Sequence, residues 1–259
     1  MGNDDKLAKS DAAGAPARRA DVDAFLDKLS RAPAQPRADG RGRLMFGMDA
    51  TASRQPSWDS AARLQGEMFQ ITRELGGLDV QLAFFRGFGE FKVSKWTGDT
   101  NELTRLMTGV GCLAGETPNG KLQKHAANET RKRRVNALVY VGDSFEEDVD
   151  ALGKSAGELG LLGVPVFMFH EGEDPVARFG FQQIAKLSGG AYCSFDAASA
   201  DTLKELLAAV AVYAAGGRRA LENHAKAKGG DILRIAHQVK GALGACPIWC
   251  SAWPCWRPS

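Results

Sequence analysis

Three nearly unbroken apolar runs, at 44–48, 137–141 and 164–169, constrain this chain more than any other feature. Each is too short for a buried helix and lacks the polar alternation of a half-solvated strand, so each reads as a parallel strand covered on both faces. Segments with helical spacing separate them. After the first run, 58–75 places Ala61, Leu64, Met68, Ile71 and Leu75 on one helical face, and Gly76-Gly77 ends it. Further strands are expected at 78–85 and 191–195. The stretch 90–96 alternates polar and apolar residues, as an exposed edge strand does. Arg86-Gly87-Phe88-Gly89 joins it to the preceding strand as an antiparallel hairpin.

Helix boundaries are written in the same local code. Asp99 or Thr100 can cap a short helix through Met107, and another follows Gly120 to about Arg134. A helix is expected over 147–159. Asp174 precedes Pro175 as N-cap and first helical residue, and Ser188-Gly189-Gly190 closes that helix. The last long helix is read over 198–215. Strands alternating with helices predict an α/β, doubly wound, mostly parallel sheet of about six strands, with one antiparallel edge strand and helices on both faces.

This core occupies 41–216. Residues 1–40 read as a largely disordered arm, except near 21–31, where Val22, Phe25, Leu26 and Leu29 make one apolar helical face behind Asp21. That helix has three options: docking on the domain, binding a partner, or staying nascent. Residues 217–259 read as an accessory basic helix and an irregular tail. Its Cys246, Cys250 and Cys255 do not follow a zinc spacing.

Charge excludes some functions. The 33 basic and 31 acidic residues leave a net +2, which implies no affinity for nucleic acid. No stretch reaches the roughly 18 apolar residues of a membrane span, and the N-terminus has no apolar leader core. Five cysteines, an odd number without paired spacing, fit a reducing cytoplasm.

Ligands of an open α/β sheet bind beyond the carboxyl ends of its strands. Asp49, Thr51 and Ser53 follow the first strand, Asp143 follows the run at 137–141, and Thr117 stands in a Gly-rich turn before a helix. Singly, such residues are ordinary helix caps and turn formers. Together they form a hard oxygen set that suits Mg²⁺, or Mn²⁺, better than zinc or copper. Mg²⁺ keeps waters in its remaining positions, so one of them can take a carboxylate from outside.

The motifs resemble those of von Willebrand factor type A (VWA) domains with a metal-ion-dependent adhesion site. Asp49-Ala50-Thr51-Ala52-Ser53 is similar to the family's Asp-x-Ser-x-Ser, with Thr51 replacing a serine. Gly115-Glu116-Thr117-Pro118-Asn119-Gly120 is similar to Gly-Gly-Thr-x-x-Gly, with Glu116 at a glycine position. Gly142-Asp143-Ser144 supplies the aspartate of Thr-Asp-Gly without its usual neighbours. The resemblance implies a binding module rather than an enzyme. Asp49, Thr51, Ser53, Thr117 and Asp143 would hold the ion directly or through water, and an acidic residue of a protein partner would complete it. Glu116 and Ser144 become candidate partner-binding residues, and Glu116 could itself compete for the open position.

The alternative is a Mg²⁺-dependent phosphotransfer enzyme of haloacid-dehalogenase type, which the acidic stretch Gly142-Asp143-Ser144-Phe145-Glu146-Glu147-Asp148 also resembles. Asp49 would then be the nucleophile. The second acid that such phosphatases use is replaced by Thr51, which cannot shuttle a proton at neutral pH. A dinucleotide site fails sooner, because the first loop has no Gly-x-Gly-x-x-Gly. Glu146, Glu147, Asp148 and Asp150 read as the acidic first turn of a helix, and His125 and His170 as incidental.

Overall fold

The computed structural model describes residues 19–33, 40–50, 77–87, 90–112, 118–195 and 200–227. Six strands, β1 (Gly42–Asp49), β2 (Leu78–Arg86), β3 (Glu90–Val93), β4 (Ala137–Gly142), β5 (Val166–Glu171) and β6 (Ala191–Phe195), form one sheet in the order β3-β2-β1-β4-β5-β6. Every residue of β1, β4 and β5 is buried, as continuous apolar runs at the centre of a doubly covered sheet require. Five strands are parallel. Only β3 runs antiparallel, with Phe91 opposite Phe85 and Glu90 opposite Arg86. The Arg86 guanidinium donates to Glu90 across this hairpin at 2.7 Å. The edge strand ends at Val93, earlier than its alternation suggests. The chain still runs beside β2 as far as Thr97, which exchanges two backbone hydrogen bonds with Val80.

Six helices are described: α1 (Arg19–Arg31), α2 (Thr100–Thr108), α3 (Asn119–Lys132), α4 (Val149–Leu161), α5 (Pro175–Ser188) and α6 (Ala200–Ala227). The cap chemistry explains several ends. Asp99 accepts from Asn101 N–H, Asp148 from Ala151 N–H and Asp174 from Val176 N–H, each at 2.8 Å. The helix expected over 58–75 and the tail beyond 227 lie outside the described residues.

The alternation of each strand divides the core in two. Leu44, Phe46, Met48, Val139, Val141, Phe167 and Phe169 face one layer with α1, α2 and α6. Met45, Leu138, Tyr140, Val166 and Met168 face the other with α3, α4 and α5. Of the three options for the N-terminal helix, docking is the one realised. The Phe25 ring meets Phe169 at 5.1 Å and Phe167 at 5.9 Å, and Phe25 and Leu29 are fully buried. The end of α1 is tied to α6 by the Tyr213 hydroxyl on the Pro33 carbonyl and by Arg218 on the Ala32 carbonyl, both at 2.6 Å.

Helix α6 does not stop near 215. Gly217 adopts φ 69° and ψ −166°, which kinks the helix, and helical turns resume to Ala227. Leu221, in the second part, is buried in the same layer as α1. The pair Gly216-Gly217 reads locally as a terminator. Apolar burial of Leu221 and the Arg218 bond to α1 favour continuation past it.

Candidate metal centre

Asp49 is the last residue of β1 and is 1% exposed. Its neighbours follow from register. Opposite it on β2 is Phe85, and on β4 the pairing of Met48 with Val141 puts Gly142 alongside it. Asp143 is the next residue beyond Gly142, so the two aspartates leave adjacent parallel strands at the same edge. Ser144 donates its hydroxyl hydrogen to Asp143 Oδ1 at 3.2 Å. The structure therefore brings Asp49, Asp143 and Ser144 to one edge. Thr51, Ser53, Glu116 and Thr117 lie outside the described residues. Among the described residues no three Asp, Glu, His or Cys side chains converge as a metal cluster. A set of two carboxylates completed by hydroxyls would not form one.

Helix α3 starts at this edge. Its N-cap position is Pro118, one place earlier than the first helical residue, and it offers no side-chain acceptor to the orphaned N–H groups. The carboxylate of Glu147 supplies one from a different loop, accepting from Gly120 N–H at 2.9 Å and 3.2 Å. Burial pushes the Glu147 carboxyl up, partly offset by this backbone hydrogen bonding. Read from sequence, Glu147 belonged to the first turn of α4. That place starts with Asp148, leaving Glu147 to reach across. Both acids late in the acidic stretch, Glu147 and Asp148, are thus engaged as helix caps.

His170 is not incidental. It is fully buried at the end of β5, with Nε2 3.1 Å from the Asp143 carbonyl and Nδ1 2.9 Å from the Tyr192 hydroxyl. The carbonyl can only accept, so Nε2 carries the proton and Nδ1 accepts from Tyr192. Burial pushes the imidazole below its ordinary value, against the hydrogen bond to Asp143. A neutral His170 thereby holds the backbone of Asp143 in place. No sequence spacing signals this, since the contact joins neighbouring strands.

Beneath the edge, three buried polar atoms lack a well-formed hydrogen bond: Tyr140 Oη, Asn119 Nδ2 and Gln123 Oε1. Leaving each unsatisfied costs about 1–3 kcal/mol. Burial, and then the negative charge of Asp49, pushes the Tyr140 hydroxyl well above its ordinary value, and Asp143 and Glu146 act in the same direction. The Asn119 side chain lies close enough to share a weak hydrogen bond with this hydroxyl, which offsets part of the rise. Paired carboxylates with poorly satisfied hydrogen-bonding groups below them fit a hydrated hard cation, whose waters can satisfy such groups.

No family model matches this sequence, and no curated protein matches it. The fold does match solved structures. The SpRpn10 VWA domain aligns over 63% of this chain and 94% of its own, at 14% identity and a TM-score of 0.52. Proximal thread matrix protein 1 from the mussel byssus, in a form whose MIDAS motif is occupied by zinc, aligns over 66% of this chain at 13% identity and a TM-score of 0.52. The open conformation of the pilus adhesin SpaC from Lactobacillus rhamnosus GG aligns over 73% at 12% identity and a TM-score of 0.52. The match spans 46% of the mussel chain and 31% of the adhesin. At these identities the likeness establishes the fold, which is of VWA type.

Proposed function

We propose that this VWA-type chain is a metal-dependent protein-interaction module. In this reading Asp49, Thr51, Ser53, Thr117 and Asp143 hold Mg²⁺, or Mn²⁺, at the carboxyl edge of the sheet. A carboxylate from a protein partner completes the site, with Glu116 and Ser144 at its rim. The observation that carries the reading is the convergence of buried Asp49 and half-buried Asp143 at the ends of adjacent parallel strands. A bound dication would supply the positive charge that two neighbouring acids need and a coordination position for an external oxygen.

The chain's own residues have separate tasks. Asp49 contributes charge from a rigid, fully paired strand. Asp143 contributes the second charge from a loop whose backbone His170 restrains, and Glu147 anchors the start of the helix that follows Thr117. Zinc in the MIDAS motif of the mussel protein supports a divalent ion in a fold of this kind. A pilus adhesin among the structural neighbours supports a binding role over catalysis. We read the partner as a protein rather than nucleic acid or membrane, given the balanced charge. Among the described residues no helix is long and apolar enough to cross a membrane. A cytoplasmic setting is proposed from the odd cysteine count.

The test is a thermal melt with and without Mg²⁺ and Mn²⁺. Ligand that binds only the native state raises the midpoint, by about 2.7 kcal/mol of stability at a hundredfold excess over the dissociation constant. The unmodified protein should shift, and Asp49→Ala and Asp143→Ala should not. A protein whose midpoint ignores both ions would overturn the metal-dependent reading. Binding of a glutamate-containing peptide only in the presence of the ion would identify the carboxylate as the recognised group.

A further inference from the structure

Tyr140 and Asn119 converge on Asp49 from two elements. Tyr140 and Gly142 lie two residues apart on β4, hence on the same face, and the Tyr140 hydroxyl lies against Gly142, where a side chain would otherwise stand. Asp49 is beside Gly142 in the register of β1 and β4 and shares that face, because Gly47 pairs with Tyr140. Phe85, opposite Asp49 on β2, meets the Tyr140 ring at 6.0 Å. The hydroxyl therefore points along the strand toward the carboxylate.

Asn119 comes from above. Leu122 packs directly on Gly47, which has no side chain to displace it. Three residues back along α3 rise by about 4.5 Å, and two residues along β1 by about 6.6 Å, so Asn119 stands within about 2 Å of the level of Asp49. Tyr140 is 1% exposed and Asn119 2%, and their polar ends make no more than a weak contact with each other. Phenylalanine at 140 would fill the same volume without burying a hydroxyl.

We propose that Tyr140 and Asn119 are positioning residues of the candidate metal centre, taking up the hydrogen bonds of the water shell that an ion at Asp49 carries. The inference rests on the metal-binding reading above. A tyrosine hydroxyl both accepts and donates, so it can accept from a coordinated water while donating to the Asp49 carboxylate. The Asn119 amide nitrogen, close beside the Tyr140 hydroxyl, adds a second donor. Fixing the carboxylate in this way favours the geometry that a small, strictly octahedral ion demands.

The experiment compares the unmodified protein with Tyr140→Phe, Asn119→Ala and Asp49→Ala, using Mn²⁺ alone as probe. Affinity is read from the electron paramagnetic resonance of free Mn²⁺, and melting is recorded in chelator. Tyr140→Phe should bind Mn²⁺ at least tenfold more weakly, while its metal-free midpoint stays level or rises, since a poorly satisfied buried hydroxyl is gone. A merely structural tyrosine would do the reverse, lowering the midpoint and leaving affinity alone. If the unmodified protein binds, Asp49→Ala does not, and Tyr140→Phe and Asn119→Ala both lose less than threefold, the positioning role is overturned and the metal site stands. If the unmodified protein binds no Mn²⁺, both fall.

Discussion

Removing the charge of Glu129 tests the electrostatics of the edge opposite the candidate site. Its carboxylate, 12% exposed, accepts from Trp96 Nε1 at 2.8 Å, Lys132 Nζ at 2.9 Å and Arg43 Nη2 at 3.3 Å. Arg43 is itself buried, stacked 3.8 Å over the Trp96 ring, and depends on Glu129 to balance its own desolvation and the charge of Arg133. Burial alone would raise the Glu129 carboxyl. The hydrogen bonds from Lys132 and Trp96 and the nearby positive charge of Lys132 prevail, holding it at about 2 instead of 4.5. A carboxyl lowered by that amount contributes about 3 kcal/mol at neutral pH. Breaking a buried ion pair from one side costs a similar amount. Glu129→Gln should therefore lose about 3 kcal/mol in denaturant unfolding at pH 7. Because the folded value is depressed, the contribution is complete above pH 4.5 and declines as pH falls toward 2. About 2 kcal/mol of the difference should be gone at pH 3. A difference below about 1 kcal/mol at pH 7, or one that persists unchanged at pH 3, would refute this assignment.

Other outcomes follow from contacts already described. Phe25→Ala should cost about 3–5 kcal/mol, measured as a shifted denaturant midpoint, because α1 is part of the core rather than an appendage. A cost near zero would detach α1 from the fold. Gly142→Ala pushes a methyl group into the Tyr140 hydroxyl and should cost about 1–3 kcal/mol. Part of that loss should return in a Tyr140→Phe background, and a double-mutant cycle without coupling would place the hydroxyl elsewhere. His170 has a depressed folded value, so its contribution is present above its ordinary 6.5 and lost as pH falls below it. Melting midpoints between pH 7.5 and 5 should drop in the unmodified protein, and His170→Gln should show a shallower slope.

Much of the architecture was legible locally. Continuous apolar runs identified β1, β4 and β5, because a strand covered on both faces has no solvent side to encode. Asp99, Asp174 and Pro175 marked helix starts through short-range capping chemistry. Asp49 and Asp143 stood out as acids at strand ends, where open sheets expose their ligand edge. The rest depended on contacts between distant segments. The stripe Val22, Phe25, Leu26 and Leu29 announced an apolar face but not what would cover it, and only the Phe167 and Phe169 rings of β5 decided that. Gly216-Gly217 carried a stop signal that the burial of Leu221 overrode.

At the candidate site the division is sharper. Sequence alone determined which oxygens end the strands, since spacing and residue type are local properties. The tertiary structure decided how those oxygens are held. Glu147 crosses to cap α3, His170 restrains the Asp143 carbonyl, and the Tyr140 hydroxyl lies over Gly142. Each of these depends on strand register and helix placement. A side chain's partner across a sheet is set by the packing of both faces at once, and no period along the chain records it.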